Sequence, residues 1–424
     1  MKHYKRIVLF ATAAIAFGLT TTNRALADKV PLNHHTKQLV EGLYSDNLEA
    51  ASYFQQGVMR YNRSDFNAAE LAFRKALQND PFIPMARYLL GNALFQQGQI
   101  DQAAEQYRLA IGLDPNMAES YYNLGLMLYQ QDQTEDAITA YQQALSLNPD
   151  LPAARYNLGL ALELLGRVDE AMAEYTEAIR LNPNAAVAQY NLALLLVKQD
   201  NPESAITTLR QAVATDPNLL QAHYQLGLML AVQGRQDDAK ESFLKATKLD
   251  PKFAEAHYQL GLILAQQEQY KEASRRFDWV TQLEPTNVEA QRQLGAALAK
   301  NGEYERASAA LKSALRLDPY DGLTHYNLAV ALHRTQQYDA AIAQYQEAIR
   351  LNPTLSLAFY NMGIALEQSG RGAEATSFLR QARNLFIQEG NLEKIDEVDE
   401  YVQQLNAAPP MLVEPEASPA IVRP

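Results

Sequence analysis

The sequence predicts an all-α solenoid of paired helices, on three observations. Prolines stand at 81, 115, 149, 183, 217, 251, 285, 319 and 353, each 34 residues after the last, and each follows Asp, Asn or Glu. Between prolines, apolar residues recur with the spacing of two short amphipathic helices. Small residues return at fixed places inside every unit. A strict period of this length marks one supersecondary unit stacked on copies of itself, rather than two or three separate globular domains.

The first 27 residues are of another kind. Lys2, Lys5 and Arg6 lead into an uncharged stretch from Ile7 to Thr20 and then into Ala25-Leu26-Ala27, the plan of a secretory signal peptide cut before Asp28. The apolar stretch is shorter than the roughly 20 residues a membrane-spanning helix needs. Removing the four basic residues Lys2, Lys5, Arg6 and Arg24 would take the net charge from −12 to −16. The absence of cysteine excludes a lipid-modified N-terminal Cys and any disulfide, so packing alone must hold the fold in an oxidising compartment. Residues 28–49 form a polar N-terminal segment with room for one short helix near Thr36 to Tyr44.

From 50 to 383 the chain reads as ten tandem units with no insertion. Each Pro lacks an amide hydrogen and forces the residue before it out of the α region, so it ends a helix where Asp or Asn can complete the turn. If each Pro is position 32, position 8 is Gly in eight units (Gly57 to Gly363) and Ala at Ala193 and Ala329. Position 20 is Ala throughout, from Ala69 to Ala375, and position 27 is Ala except at Val280. Position 24 is bulky: Phe73, Tyr107, Tyr141, Tyr175, Leu209, Phe243, Phe277, Leu311, Tyr345 and Leu379. Small residues at 8 and 20 let two helices approach closely, and the large side chain at 24 fills the space their crossing leaves. After the last unit, 384–406 reads as a capping helix with Ile395, Val398, Val402 and Leu405 inward, the polar-faced closure that a solenoid needs. Residues 407–424, with Pro409, Pro410, Pro415, Pro419 and Pro424, read as a disordered tail.

This pattern resembles the tetratricopeptide repeat, over nearly 80% of the chain. Departures fall on tolerant packing positions: the family's Trp at position 4 is replaced by Tyr121, Arg155, Gln189, His223 and others, and its Tyr at position 11 is mostly Leu. The resemblance implies a right-handed superhelix whose concave side is lined by the first helix of each unit. Advancing ~100° per residue, positions 4, 7, 8 and 11 of that helix cluster around about 30°, and positions 5, 6, 9 and 12 around about 170°. The first face should pack on the unit's own second helix, and the second should border the groove.

That second face carries Tyr122, Tyr156, Tyr190, Tyr224 and Tyr258 at position 5, with Asn123, Asn157, Asn191, Gln225, Gln259, Asn327 and Asn361 at position 6. Leu126, Leu160, Leu194, Leu228 and Leu262 stand at position 9. Two readings compete. A carboxamide offers both donor and acceptor, so a row of them could pair with the backbone of an extended peptide, while Tyr adds rigid contact area; the row is similar to the asparagine ladder of the eukaryotic O-linked N-acetylglucosamine transferase. Alternatively Tyr packs between neighbouring units and Asn bonds locally. A carboxylate clamp of the co-chaperone type would require Lys at position 5 and Asn at position 9; here position 5 is aromatic except for Arg292, and position 9 is Asn only at Asn92.

No catalytic or cofactor signature is present: the chain has no phosphate loop, no HExxH, no GxSxG and no EF-hand loop. His223, His257 and His325 all occupy position 4 and read as structural, Trp279 reads as packing between units, and the adjacent His34-His35 are at most a weak metal site. No cofactor and no metal are expected. An acidic chain with no basic cluster argues against nucleic acid. The sequence therefore points to a non-enzymatic scaffold or assembly factor in the periplasm or another extracytoplasmic space. It would bind another protein or an unfolded polypeptide segment in its groove and meet a membrane only through a partner. The exported bacterial tetratricopeptide proteins, including cyanobacterial assembly factors, share this style. The alternatives are a glycan-binding or regulatory scaffold of an envelope polysaccharide or secretion complex.

Overall fold

In a computed structural model the described residues are Ser45 and 47–407. The signal peptide, the cleavage before Asp28, the short helix near Thr36 to Tyr44, His34-His35 and the tail after Ala407 lie outside them. Among the described residues all regular structure is helical, and no helix is long and apolar enough to cross a membrane.

Two compact units divide the chain, residues 1–222 and 223–424. The first contains α1 (Leu48–Asn62), α2 (Phe66–Asn79), α3 (Pro84–Gln96), α4 (Ile100–Leu113), α5 (Ala118–Gln130), α6 (Thr134–Leu147), α7 (Pro152–Leu164), α8 (Val168–Leu181), α9 (Ala186–Lys198) and α10 (Pro202–Thr215). The boundary falls inside α11 (Leu220–Val232). The second unit continues with α12 (Gln236–Leu249), α13 (Ala254–Gln266), α14 (Tyr270–Leu283), α15 (Val288–Lys300), α16 (Tyr304–Leu317), α17 (Gly322–Arg334), α18 (Tyr338–Leu351), α19 (Ser356–Gln368), α20 (Gly372–Glu389) and α21 (Leu392–Ala407). Within each unit, consecutive helices pack as antiparallel hairpins and each hairpin stacks on the next.

The turns between hairpins are built by the Asp/Asn-Pro pairs. Asp80 is extended (φ −146°, ψ 101°) as a residue before Pro must be. Its carboxylate accepts the amide hydrogen of Phe82 at 3.0 Å, and Asp114, Asn148 and Asp216 do the same two residues on, the Asx turn that ends one helix and aims the next. The turns inside hairpins are built differently. Position 15 has positive φ in every one, and the residue there alternates: Ser64, Gly98, Asp132, Gly166, Asp200, Gly234, Glu268, Gly302, Gln336, Gly370. The following amide hydrogen bonds back to the position-11 carbonyl, as Gln99 does to Leu94 and Gln133 to Leu128, both at 2.9 Å. This left-handed cap closes the first helix, and glycine takes it without the penalty that Glu268 and Gln336 accept.

The core is the contact between positions 8 and 24. A Cβ on Gly159 would lie 2.6 Å from the Tyr175 ring, and one on Gly125 would lie 2.6 Å from Tyr141. The ring therefore rests on bare backbone, and Tyr107, Tyr141, Tyr175, Phe243 and Phe277 are completely buried. At Ala329 the ring of Tyr345 still fits and both residues are fully buried, so one methyl group is within what the crossing can absorb.

The last hairpin departs from the period. Ile387 stands where Pro ends the earlier units, and α20 runs for 18 residues against 14 in α18, straight through the 383/384 boundary drawn from the sequence. It stops at Gly390, in the left-handed conformation (φ 69°). The helix α21 then covers it, with Val398 fully buried and Ile395, Val402 and Leu405 against Phe359, Tyr360 and Phe386.

Candidate functional site

The first helix of each hairpin was expected to hold its tyrosines away from its own partner helix. The structure places them otherwise. In six hairpins the position-5 tyrosine packs on the position-24 ring of its own hairpin: Tyr88 on Tyr107, Tyr122 on Tyr141, Tyr156 on Tyr175, Tyr224 on Phe243, Tyr258 on Phe277 and Tyr326 on Tyr345, at 5.7–6.1 Å between centroids. Position 5 is about 60° from position 8 around the helix, and the ring over position 8 is wide enough to reach it. Tyr190, at 7% exposure, is buried, whereas Tyr122, Tyr156, Tyr224 and Tyr258 keep part of one face open.

The amides are corrected more strongly. Asn123, Asn191, Gln225, Asn327 and Asn361 are all below 5% exposed, so they cannot form a peptide-gripping ladder. Their amide groups are used between hairpins. Asn157 Nδ2 donates to the hydroxyl of Tyr122 at 3.1 Å, Asn191 to Tyr156 at 3.2 Å, and Asn361 to Tyr326 at 2.8 Å. Asn123 instead donates to Asn92 Oδ1, which also accepts from the Tyr107 hydroxyl. At three junctions position 6 of one hairpin thus ties down position 5 of the hairpin before it. Only Asn157 and Gln259 of the predicted amides remain half-exposed, and Asn157 also donates to the Ala153 carbonyl at 2.8 Å. Burial pushes the Tyr122 hydroxyl up to about 12, with Asn157 opposing it. Such hydroxyls stay neutral at ordinary pH and serve as hydrogen-bond partners, not acids.

These polar ties should show in stability. Asn191→Ala is expected to cost about 1–2 kcal/mol, since it leaves the largely desolvated Tyr156 hydroxyl without this donor. Adding Tyr156→Phe to that variant should cost little more; urea unfolding of the four proteins in the cycle measures it, and fully additive losses would mean the tie contributes nothing.

Position 4 was read as packing inside a unit, and the structure shows both such contacts and a bridge to the unit before. Gln189 and His257 reach back to the carbonyls of Pro183 and Pro251 at 2.9 and 3.1 Å. Arg87, Arg155 and His325 contact the position-23 residues Gln106, Glu174 and Gln344 of their own second helices. Arg292, the exception at position 5, pairs with Asp321 at 3.1 Å and Glu289 at 3.4 Å. Trp279, expected between units, does bond to the preceding one, its Nε1–H donating to the Pro251 carbonyl at 2.9 Å, while the side chain stays 39% exposed.

Among the residues that stay partly open on the first helices of residues 1–222 is an apolar row. Tyr122, Leu126, Tyr156 and Leu160 are half-buried and packed against the core, Leu164 is 63% exposed, and the hydroxyls of both tyrosines are held by the Asn ties. A family model described as TPR repeat matches residues 91–132, 125–166, 228–268 and 331–370, and two described as tetratricopeptide repeat match 162–229 and 258–322. Similar solved structures include YrrB, titled a TPR protein with an unusual peptide-binding site (29% identity, TM-score 0.41, 44% of this chain and 96% of that one). Others are MamA from Desulfovibrio magneticus (26%, 0.37, 40% and 96%) and PilF of Pseudomonas aeruginosa (23%, 0.45, 51% and 97%). No curated protein matches the chain.

Proposed function

Because the chain belongs to the tetratricopeptide repeat family, a fold of protein–protein interaction, we propose that it is a non-enzymatic scaffold that holds an extended polypeptide along the first-helix face of residues 1–222. The observation that carries this is the row of Tyr122, Leu126, Tyr156 and Leu160, half-open, with both tyrosines fixed in place by Asn157 and Asn191. Side chains already immobilised in the free protein lose little entropy on binding, and Tyr offers contact area at low cost in rotamers. The partner is then recognised by apolar side chains seated between the rings, not by amides reading its backbone. The basic and apolar start of the sequence, followed by Ala25-Leu26-Ala27, supports export and an extracytoplasmic place of work. The lack of any catalytic signature in the sequence supports a binding role.

A photo-crosslinking residue at Leu160 tests this, with one at exposed Thr176 on α8 as the control. Expected is capture of one polypeptide from the first site and not the second. The crosslinked segment, synthesised and titrated, should bind Leu160→Asp at least about tenfold more weakly, a loss of about 1.4 kcal/mol. Identical products from both sites, or captured carbohydrate in place of peptide, would overturn the proposal.

A further inference from the structure

The position-4 bridge reverses its polarity in one hairpin. In three others the position-23 residue is Gln106, Glu174 or Gln344, and an Arg or His at position 4 contacts it. In α13/α14 position 23 is itself a cation, Arg276, and its only hydrogen-bond partner among the described residues is His257 Nδ1 at 3.3 Å. His257 Nε2–H is committed to the Pro251 carbonyl, which leaves Nδ1 as the acceptor. Burial, followed by Arg276, holds the imidazole pKa below its ordinary value, so His257 is neutral and leaves the guanidinium charge uncompensated. Arg275, Arg276 and Lys240 make no ion pair among the described residues.

These cations border a cavity of about 450 Å³ between α12, α13 and α14. Buried Leu260 and Leu264 line it, together with Leu244 and Trp279, which remain 40% and 39% exposed. The indole Nε1–H is anchored to the same Pro251 carbonyl at 2.9 Å, so the ring is fixed with its surface toward the opening. Glu272 is the single carboxylate in the lining. An excess of positive charge over apolar walls, in a chain whose net charge is −12, is unusual.

We propose that this cavity is a second docking site, separate from the first-helix face, for a partner segment in which an acidic residue adjoins an aromatic or aliphatic one. Charge complementarity selects the carboxylate: the remaining donors of Arg276 suit it, with Arg275 and Lys240 beside them. Trp279 and the leucines take the apolar neighbour. The size lies within the range of ligand sites. The open walls favour an occupant that continues outward as a chain over a small molecule enclosed on all sides.

Trp279 is the only tryptophan in the sequence, so its fluorescence in the full chain reports this cavity alone. The probe is the acetylated and amidated peptide Gly-Asp-Phe-Glu-Leu-Gly, compared with its Asn/Gln counterpart and with 4-phenylbutyrate. Expected is a saturable change with the acidic peptide and at least about tenfold weaker binding of the uncharged one. Binding to Arg276→Gln should also be weaker at least about tenfold. That variant should fold, since Gln already stands at the same place as Gln106 and Gln344; Lys240→Gln, on another helix, gives an independent loss. Equal binding of the two peptides, undiminished binding by both variants, or no saturable binding by fluorescence and calorimetry would overturn the proposal. Binding of 4-phenylbutyrate as tight as the peptide's would also overturn it, assigning the cavity to a free carboxylate.

Discussion

Tyr141→Ala is expected to destabilise the first unit by about 3–5 kcal/mol, the range for removing a buried aromatic ring and leaving its cavity. The Tyr141 ring is fully buried, rests on the backbone of Gly125 and supports the ring of Tyr122, so neither neighbour can move in to fill the space. Tyr141→Phe should be neutral or stabilising, because the hydroxyl is buried without a hydrogen-bond partner among the described residues and its loss removes a desolvation penalty. Urea unfolding followed by circular dichroism measures both. A loss as large in the phenylalanine variant as in the alanine variant would show that the hydroxyl, and not the ring, holds the crossing.

The other large effect is expected from ending the chain at Gly390. Removing α21 uncovers Phe386 and Phe359, strips the covering contacts of Ile395, Val398, Val402 and Leu405, and breaks the bonds from Tyr360 to Glu397 at 2.8 Å and from Tyr401 to Glu367 at 3.3 Å. Each apolar side chain returned to water costs about 1.5–3 kcal/mol if it was fully buried. The expected result is fast hydrogen exchange through α19 and α20, together with concentration-dependent self-association seen by sedimentation. Unchanged protection of residues 356–389 in a monomeric truncated protein would show that the last hairpin stands without its cover.

The helices and their crossing were legible because they depend on size and period alone. Gly at position 8, Ala at 20 and a ring at 24 contrast in volume, and the Asp/Asn-Pro pairs mark their own turns. The candidate site was less legible for reasons that can be named. A helical wheel treats a side chain as a direction, whereas the Tyr156 ring extends far enough to meet Tyr175 across a face that the wheel assigned elsewhere. The partner of Asn191 is a hydroxyl 35 residues earlier, in a neighbouring hairpin whose placement the period does not give. The bridge from position 4 ends on a proline carbonyl, which has no side-chain signature. The left-handed position 15 was visible only in alternate units, where it is Gly; Ser64, Asp132 and Glu268 conceal it. The cavity at Trp279 could have been found as a deviation, since Trp at position 26 and Arg at position 23 occur only in that unit.

The Asn–Tyr ties also have a mechanical meaning. Each joins a side chain to one 35 residues earlier, so each couples two adjacent hairpins and reaches no further. A pull along the chain within one unit therefore meets these bonds in series, one hairpin junction at a time, and extension can proceed stepwise while the ring-on-glycine contact inside each hairpin stays intact.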